Sequence, residues 1–151
     1  FAIEYRDLEA PRTGTFDGLK ITIDPDTDFE MQCFILLHLS GHSVQWTSPE
    51  LAPKLGDLQH THDKELFLRV LRAYEFEAAQ FGLQLMHEAC VVELDQLYAD
   101  FVETDWRYVR RYYTEGAIPL WHECIAAGRP PIEARPIPRI EHKAVQVRFA
   151  F

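Results

Sequence analysis

The fold of this chain is constrained most by an amphipathic helix pattern that directly follows a strand pattern. Residues 18–23 alternate, with Leu19, Ile21 and Ile23 on one face, and an Asp-Pro-Asp turn stops the alternation. Residues 28–46 then place apolar side chains at the spacing of one helix face. A strand followed by helices predicts an α+β fold, in which a small sheet packs on the helix at 28–46.

The rest of the chain predicts further helices and a distinct C-terminal segment. Residues 64–88 repeat apolar side chains at helical spacing, and shorter helices fit residues 91–104, 105–114 and 119–127. We expect four or so helices in the folded domain. Prolines then predict an extended connector. The final residues, 144–151, alternate again and predict a strand that docks on the same sheet or on that of a neighbouring subunit.

The net charge of −9 is spread unevenly and bears on the choice of partner. Residues 1–104 hold 19 acidic and 7 basic side chains, so the body of the chain repels nucleic acid and anionic membranes at long range. Residues 106–113 interleave aromatic rings with arginines, a mixture that can stack on bases and pair with phosphates. In an acidic chain this mixture is more typical of a helix that packs its rings while the arginines reach water.

Hydropathy and cysteine content bear on the compartment. No apolar run approaches the roughly 20 residues that span a bilayer, so we expect no membrane-spanning segment. The three cysteines are an odd number without a C-x-x-C pair, which favours free thiols in a reducing compartment. We therefore expect a cytoplasmic protein.

Two histidines share the apolar face of the helix at 28–46. His38 and His42 are four residues apart, about one helical turn, so both imidazoles project from one face and can share a metal ion. A pair packed in the core without metal fits the same spacing, and the pattern leaves both interpretations open. In an H-E-x-x-H zinc site, a glutamate serving as general base follows the first histidine; here that position is Leu39.

Further candidates lie in the second long helix and before it. Glu75 and Glu77 flank the apolar stripe of residues 64–88 on opposite sides, and periodicity does not show which of them faces the histidines. His60 and His62 lie in the loop predicted between the two helices, where solvent exposure is the simpler expectation.

Two short motifs resemble those of the ImmA/IrrE-type zinc metallopeptidases. The pattern F-x-L-x-H-x-x-G-H of the family's active helix is matched by Phe34, Leu36, His38, Gly41 and His42. The pattern E-x-x-A-x-x-F-A of the next long helix is matched in part by Glu75, Ala78, Phe81 and Gly82. The similarity spans about residues 14–90 and includes the strand that precedes the active helix.

The resemblance implies a zincin-like α+β fold in which His38, His42 and Glu75 bind zinc, and it selects Glu75 over the neighbouring glutamate. It also implies a metallopeptidase-type domain at residues 1–128, with residues 129–151 as the connector and C-terminal strand of the same domain.

Two departures from the family pattern bear on catalysis. Leu39 occupies the position of the general base, so no catalytic residue is assigned. Ala79 occupies a position where the family often has an acidic or amide side chain, so a contact behind the metal is lost as well. Because loss of a general base typically costs about 10²–10⁴-fold in rate, ordinary peptidase chemistry is not expected.

Three functions follow for the chain. The first is a zinc-binding, peptidase-like domain of impaired activity that acts as a regulator or sensor, with a protein or peptide as partner. The second is an active zinc hydrolase whose base comes from Glu77, His60 or His62. The third is a metal-free protein-interaction module in which the histidines are packed.

Overall fold

The computed structural model describes residues 1–9, 12–47 and 63–139 of the chain. Its elements are strands β1 (Ala2–Tyr5), β2 (Gly14–Phe16) and β3 (Lys20–Ile23), and helices α1 (Phe29–Thr47), α2 (Lys64–Glu88) and α3 (Asp95–Glu115). The predicted α+β class is therefore confirmed. His60, His62 and the strand predicted at 144–151 lie outside the described residues.

The sheet is small and mixed, with β3 at its centre. β1 pairs with β3 in parallel and β2 pairs with it in antiparallel fashion, which gives the order β1-β3-β2. Ile21 and Ile23 are fully buried, as their alternation predicts. Leu19 was expected on the same face but is 81% exposed. It precedes β3 in a turn where the Asp17 carboxylate accepts hydrogen bonds from the backbone N–H groups of Leu19 and Lys20.

Two aspartates define the passage from the sheet into α1. The Asp24 carboxylate accepts hydrogen bonds from the backbone N–H groups of Leu8 and Asp26 and so ties the start of the chain to the end of β3. Asp28 then caps α1 by accepting a 2.8 Å hydrogen bond from the backbone N–H of Met31. These bonds explain why the helix begins directly after the Asp-Pro-Asp turn.

α1 and α2 approach each other closely because glycines lie where they cross. A Cβ atom on Gly41 would lie 1.9 Å from the carbonyl oxygen of Ala78, and one on Gly82 would lie 2.6 Å from that of Leu37. Both contacts are with backbone, so no side-chain rotation could relieve them. The two glycines therefore set the spacing that brings side chains of α1 against α2.

The C-terminal half corrects two predictions. The two helices predicted at 91–104 and 105–114 are wrong, since α3 continues through this region, where neither glycine nor proline interrupts it. Gly116 ends α3 in the left-handed region, with φ of 67°. The helix predicted at 119–127 is reduced to a 3₁₀ turn at Trp121–Glu123. The chain leaves the helical path after this turn because the backbone N–H of Ala126 donates to the hydroxyl of Thr104 on α3.

The described part of the connector lies along α2 and α3 without helix or strand. At one end, the Asp100 carboxylate accepts a hydrogen bond from the backbone N–H of Arg129. At the other end, the side-chain amide of Gln80 donates to the backbone carbonyl of Glu133. The backbone carbonyl of Gln80 accepts a hydrogen bond from the backbone N–H of Arg135. The connector is thus attached to the two helices by a small number of hydrogen bonds.

Candidate metal centre

Three side chains from two helices meet between α1 and α2. The Nε2 atoms of His38 and His42 are 3.1 Å apart, and Oε2 of Glu75 lies 3.1 Å from the first and 3.2 Å from the second. The histidines are one turn apart on the buried face of α1, and Glu75 projects from the helix that Gly41 allows to come close. The structure thus brings the three predicted ligands together in a cluster that could hold a metal ion.

The distances within this cluster suit a shared cation. Ligand atoms bonded at about 2.0–2.2 Å to a tetrahedral ion lie about 3.3–3.6 Å from one another, slightly more than is found here. Two ring nitrogens that face each other at 3.1 Å can share only one proton, whereas a metal ion accepts a lone pair from both. Two imidazole nitrogens and one carboxylate oxygen form a donor set typical of divalent transition metals.

The charges within the cluster stabilise one another. Burial alone would raise the pKa of Glu75, but hydrogen bonds with His38 and His42 hold that pKa well below its ordinary range. Burial opposes protonation of His38, yet the hydrogen bond to the Glu75 carboxylate raises the pKa of His38 above its ordinary value. The metal-free cluster therefore attracts positive charge, and a metal ion would replace the protons that supply it.

Hydrogen bonds behind His42 determine which of its ring nitrogens faces the cluster. Gln45 is fully buried, and its Nε2 donates to the Tyr74 carbonyl at 2.8 Å and to the Glu77 carboxylate at 3.0 Å. A carbonyl oxygen only accepts, so these bonds fix the amide and turn Oε1 of Gln45 towards His42. Nδ1 of His42, 2.8 Å from that oxygen, carries a proton, so Nε2 is the ring nitrogen turned to the cluster and the one that would offer a lone pair to a metal ion.

The two glutamates that the sequence left as alternatives occupy different places. Glu75 lies in the cluster. Glu77, one of the substitute bases considered, lies behind it, where its carboxylate accepts a hydrogen bond from Gln45 and pairs with Arg135 of the connector. The Gln45 side chain therefore lies between Glu77 and His42, and the Glu77 carboxylate is already bonded to Gln45 and Arg135.

Leu39 packs towards the sheet. Its Cδ1 atom lies 3.1 Å from the position that a Cβ on Gly14 of β2 would take, and its side chain joins the edge of the hydrophobic core. Position 39, to which the resemblance assigns a general base, therefore holds an apolar side chain that lies towards β2. No proton can be taken up there.

Asp105 on α3 lies near enough to the cluster to interact with its charges, and sequence reasoning did not consider it. The ring of Phe101, one turn earlier on α3, packs edge-on against His38 with the ring centroids 6.4 Å apart. Burial raises the pKa of Asp105 to about 6, and the charges of His38, Glu75 and His42 all act on it. The sequence signal that could have identified Asp105 is its place one helical turn after Phe101, on the buried face of α3.

One buried nitrogen of the cluster, Nδ1 of His38, has no hydrogen-bond partner among the described residues. Metal-binding histidines usually donate this second N–H to a carboxylate, a carbonyl or a water molecule. The charge of Asp105 favours the protonated form of His38.

Two of the three arginines of the aromatic stretch are bonded within the chain. Arg107 donates to the carbonyl of Ile125, and Arg111 pairs with the carboxylates of Glu115 and Glu123. Guanidinium groups held by these partners are less available to phosphates, which agrees with the packing interpretation of residues 106–113.

In comparisons with known proteins, no family model, no curated protein and no solved structure matches the chain. The functional assignment therefore depends on the chain's own residues and their geometry. Across the part of the chain that the structure describes, no helix is both long enough and apolar enough to cross a membrane.

Proposed function

We propose that this chain is a zinc-binding, zincin-like domain of the ImmA/IrrE peptidase type that has lost most or all peptidase activity and acts as a regulator or sensor. The supporting observation is one pair of features on α1. His38 and His42 converge with Glu75, whereas Leu39 between them packs on the sheet. The ligands are retained and the base is missing.

Zinc is the metal proposed because of the donor set. Two histidines and one carboxylate are a ligand set of catalytic zinc sites, which keep a fourth position open for water or substrate and lower the pKa of the bound water to about 7. Gln45 keeps Nδ1 of His42 protonated, so Nε2 is the nitrogen that would offer its lone pair to the metal. Glu75 stays ionised because hydrogen bonds to both histidines lower its pKa.

The impaired activity follows from the position of Leu39. Peptide hydrolysis needs a group that accepts a proton from water and delivers it to the leaving amine. Leucine has no such group, and its side chain lies towards β2. A domain that retains the ligands can still bind a peptide or a protein near the metal, so we propose such a partner, in the cytoplasm.

The test is metal analysis of protein purified without a histidine tag, followed by competition with a chromophoric zinc chelator. We expect one zinc per chain in the wild type and a loss of at least 100-fold in affinity in His42→Ala. His87→Ala is the matched control, because His87 pairs with Asp95 outside the cluster. Wild-type protein that binds no zinc, or a His42→Ala variant that binds as well as the wild type, would reject the metal site.

A second candidate function is hydrolysis with Asp105 as the substitute base. The specific observation is its carboxylate on α3, whose charge interacts with those of all three cluster residues. A carboxyl group with a raised pKa can accept and return a proton near neutral pH. Zinc-dependent peptide cleavage by the wild type that Asp105→Asn abolishes, with zinc affinity unchanged, would favour this function. Absence of cleavage in both would favour the impaired domain.

A further inference from the structure

A continuous chain of polar contacts runs outward from the cluster. Nδ1 of His42 donates to Oε1 of Gln45, and Nε2 of the same Gln45 side chain donates to the Glu77 carboxylate. Gln45 is 0% exposed, so no water can replace either partner. Displacement of Glu77 would remove one of the two acceptors that orient this amide, and the Tyr74 carbonyl would be the one that remains.

The outer end of this chain of contacts belongs to the connector. The guanidinium of Arg135 pairs with the second oxygen of the Glu77 carboxylate. The guanidinium carbon of Arg135 lies 5.4 Å from the centre of the Phe81 ring, as in a cation–π contact. The Glu77 side chain is only 11% exposed, whereas that of Arg135 is 48% exposed. Arg135 is thus the cation that compensates a nearly buried carboxylate, and it comes from a surface segment.

The connector itself rests on its helices over a gap. A cavity of about 330 Å³ lies between α2, α3 and residues 130–133. On either side of the cavity the connector is held by hydrogen bonds to Asp100 and Gln80, and Ile132 and Ala134 pack against the hydrophobic core. The cavity reduces the surface that the connector buries, so its docking has a smaller free energy, which a partner could shift.

We infer that Gln45, Glu77 and Arg135 form a positioning relay, through which docking of the connector on α2 sets the metal affinity of His42. The inference rests on the proposed metal-binding function and adds a mode of regulation to it. With the connector docked, Arg135 holds Glu77, Glu77 holds the Gln45 amide, and the amide holds His42 in the ligand orientation. A partner that removes the connector from α2 would loosen this orientation and release the metal.

The relay predicts a graded loss of zinc affinity. Removing a partner that directly orients a metal-bound histidine typically costs about 10–100-fold in affinity, so Gln45→Met is expected in this range. Arg135 is two contacts further out, and we expect Arg135→Ala to weaken zinc binding about 3–10-fold. By thermodynamic reciprocity, zinc should stabilise the docked connector by a comparable factor.

The first test compares Arg135→Ala with Arg139→Ala by zinc competition. Both are exposed arginines of the connector, but no hydrogen bond or ion pair is found for Arg139 within the described residues. Both substitutions are on the surface, so the result does not depend on the buried Gln45→Met variant folding. Weaker binding in Arg135→Ala alone supports the relay. Equal affinities of the two variants, with wild-type zinc binding intact, overturn it. No zinc binding by the wild type would reject the proposed function instead.

A second test reads the orientation of the histidine directly. In the metal-free protein, two-bond ¹H–¹⁵N correlation spectra should show a proton on Nδ1 of His42 in the wild type and in Arg139→Ala. In Arg135→Ala the same signals should broaden or shift towards the other tautomer. Hydrogen exchange at the Arg135 amide, which donates to the Gln80 carbonyl, should slow about 3–10-fold on zinc addition. An unprotonated Nδ1 in the wild type, or exchange indifferent to bound zinc, would contradict the relay.

Discussion

Gly41→Ala adds a single methyl group at the place where α1 meets the backbone of α2. The new Cβ would lie 1.9 Å from the Ala78 carbonyl oxygen, and ordinary contact begins at 3.4 Å, so the helices must move apart by about 1.5 Å. Overpacking a core typically costs about 1–3 kcal/mol, and contact with rigid backbone belongs at the upper end. Alanine offsets about 1 kcal/mol of this, since it favours a helix more than glycine does. We expect a net destabilisation of about 2 kcal/mol.

The same substitution should also damage the cluster. Residue 41 lies next to His42, and a separation of the helices would draw both histidines away from Glu75. Urea unfolding of the metal-free protein measures the stability, and chelator competition measures the zinc affinity. Ser43→Ala is the control, because it changes the same turn of α1 without entering the crossing and should stay within about 0.5 kcal/mol of the wild type. A Gly41→Ala variant as stable as this control would refute the close crossing.

Three further predictions concern other parts of the chain. Leu39→Glu should yield at most a trace of peptidase activity and should lower the free energy of unfolding by about 1–3 kcal/mol, because it places a carboxylate against β2 without a partner. Burial raises the pKa of Asp105 to about 6 in the folded protein. Asp105 therefore does not lower the free energy of unfolding below about pH 4, and its ionisation lowers that free energy increasingly as the pH rises through 6. Asp105→Asn should therefore stabilise the metal-free protein at pH 8 by at most about 3 kcal/mol, with a gain that disappears near pH 4 in urea titrations. Deleting residues 143–151 should lower the melting temperature or change the elution volume in size-exclusion chromatography, and a truncated protein unchanged in both would show that the tail is a passive extension.

Local periodicity was sufficient to predict the long helices. The helix predicted at 64–88 agrees with α2 (Lys64–Glu88), and the one at 28–46 agrees with α1 (Phe29–Thr47) to within one residue at each end. α2 contains a long apolar stripe, which is the most dependable signal in a single sequence, whereas α1 is apolar on most of its sides. The shared face of His38 and His42 follows from the same periodicity, so this half of the cluster could be read directly from their spacing.

Contacts between distant segments could not be predicted in this way. β1 is short and largely exposed, and its parallel pairing with β3 leaves no local pattern. Glu75 was chosen through the resemblance, since periodicity treated both glutamates alike. Gln45 meets Glu77 across 32 residues and Arg135 meets it across 58, so nothing near Gln45 in the sequence indicated its role.

The most direct test of the central claim is X-ray absorption spectroscopy at the zinc edge of wild-type and Glu75→Gln protein loaded with one equivalent of zinc. In the wild type we expect two imidazole nitrogens and at least one oxygen at about 2.0–2.2 Å from the zinc. We also expect the imidazole multiple-scattering pattern in wild-type spectra and a changed oxygen shell in Glu75→Gln. A zinc shell made of water oxygens without imidazole, or a spectrum unaffected by Glu75→Gln, would contradict the proposed site.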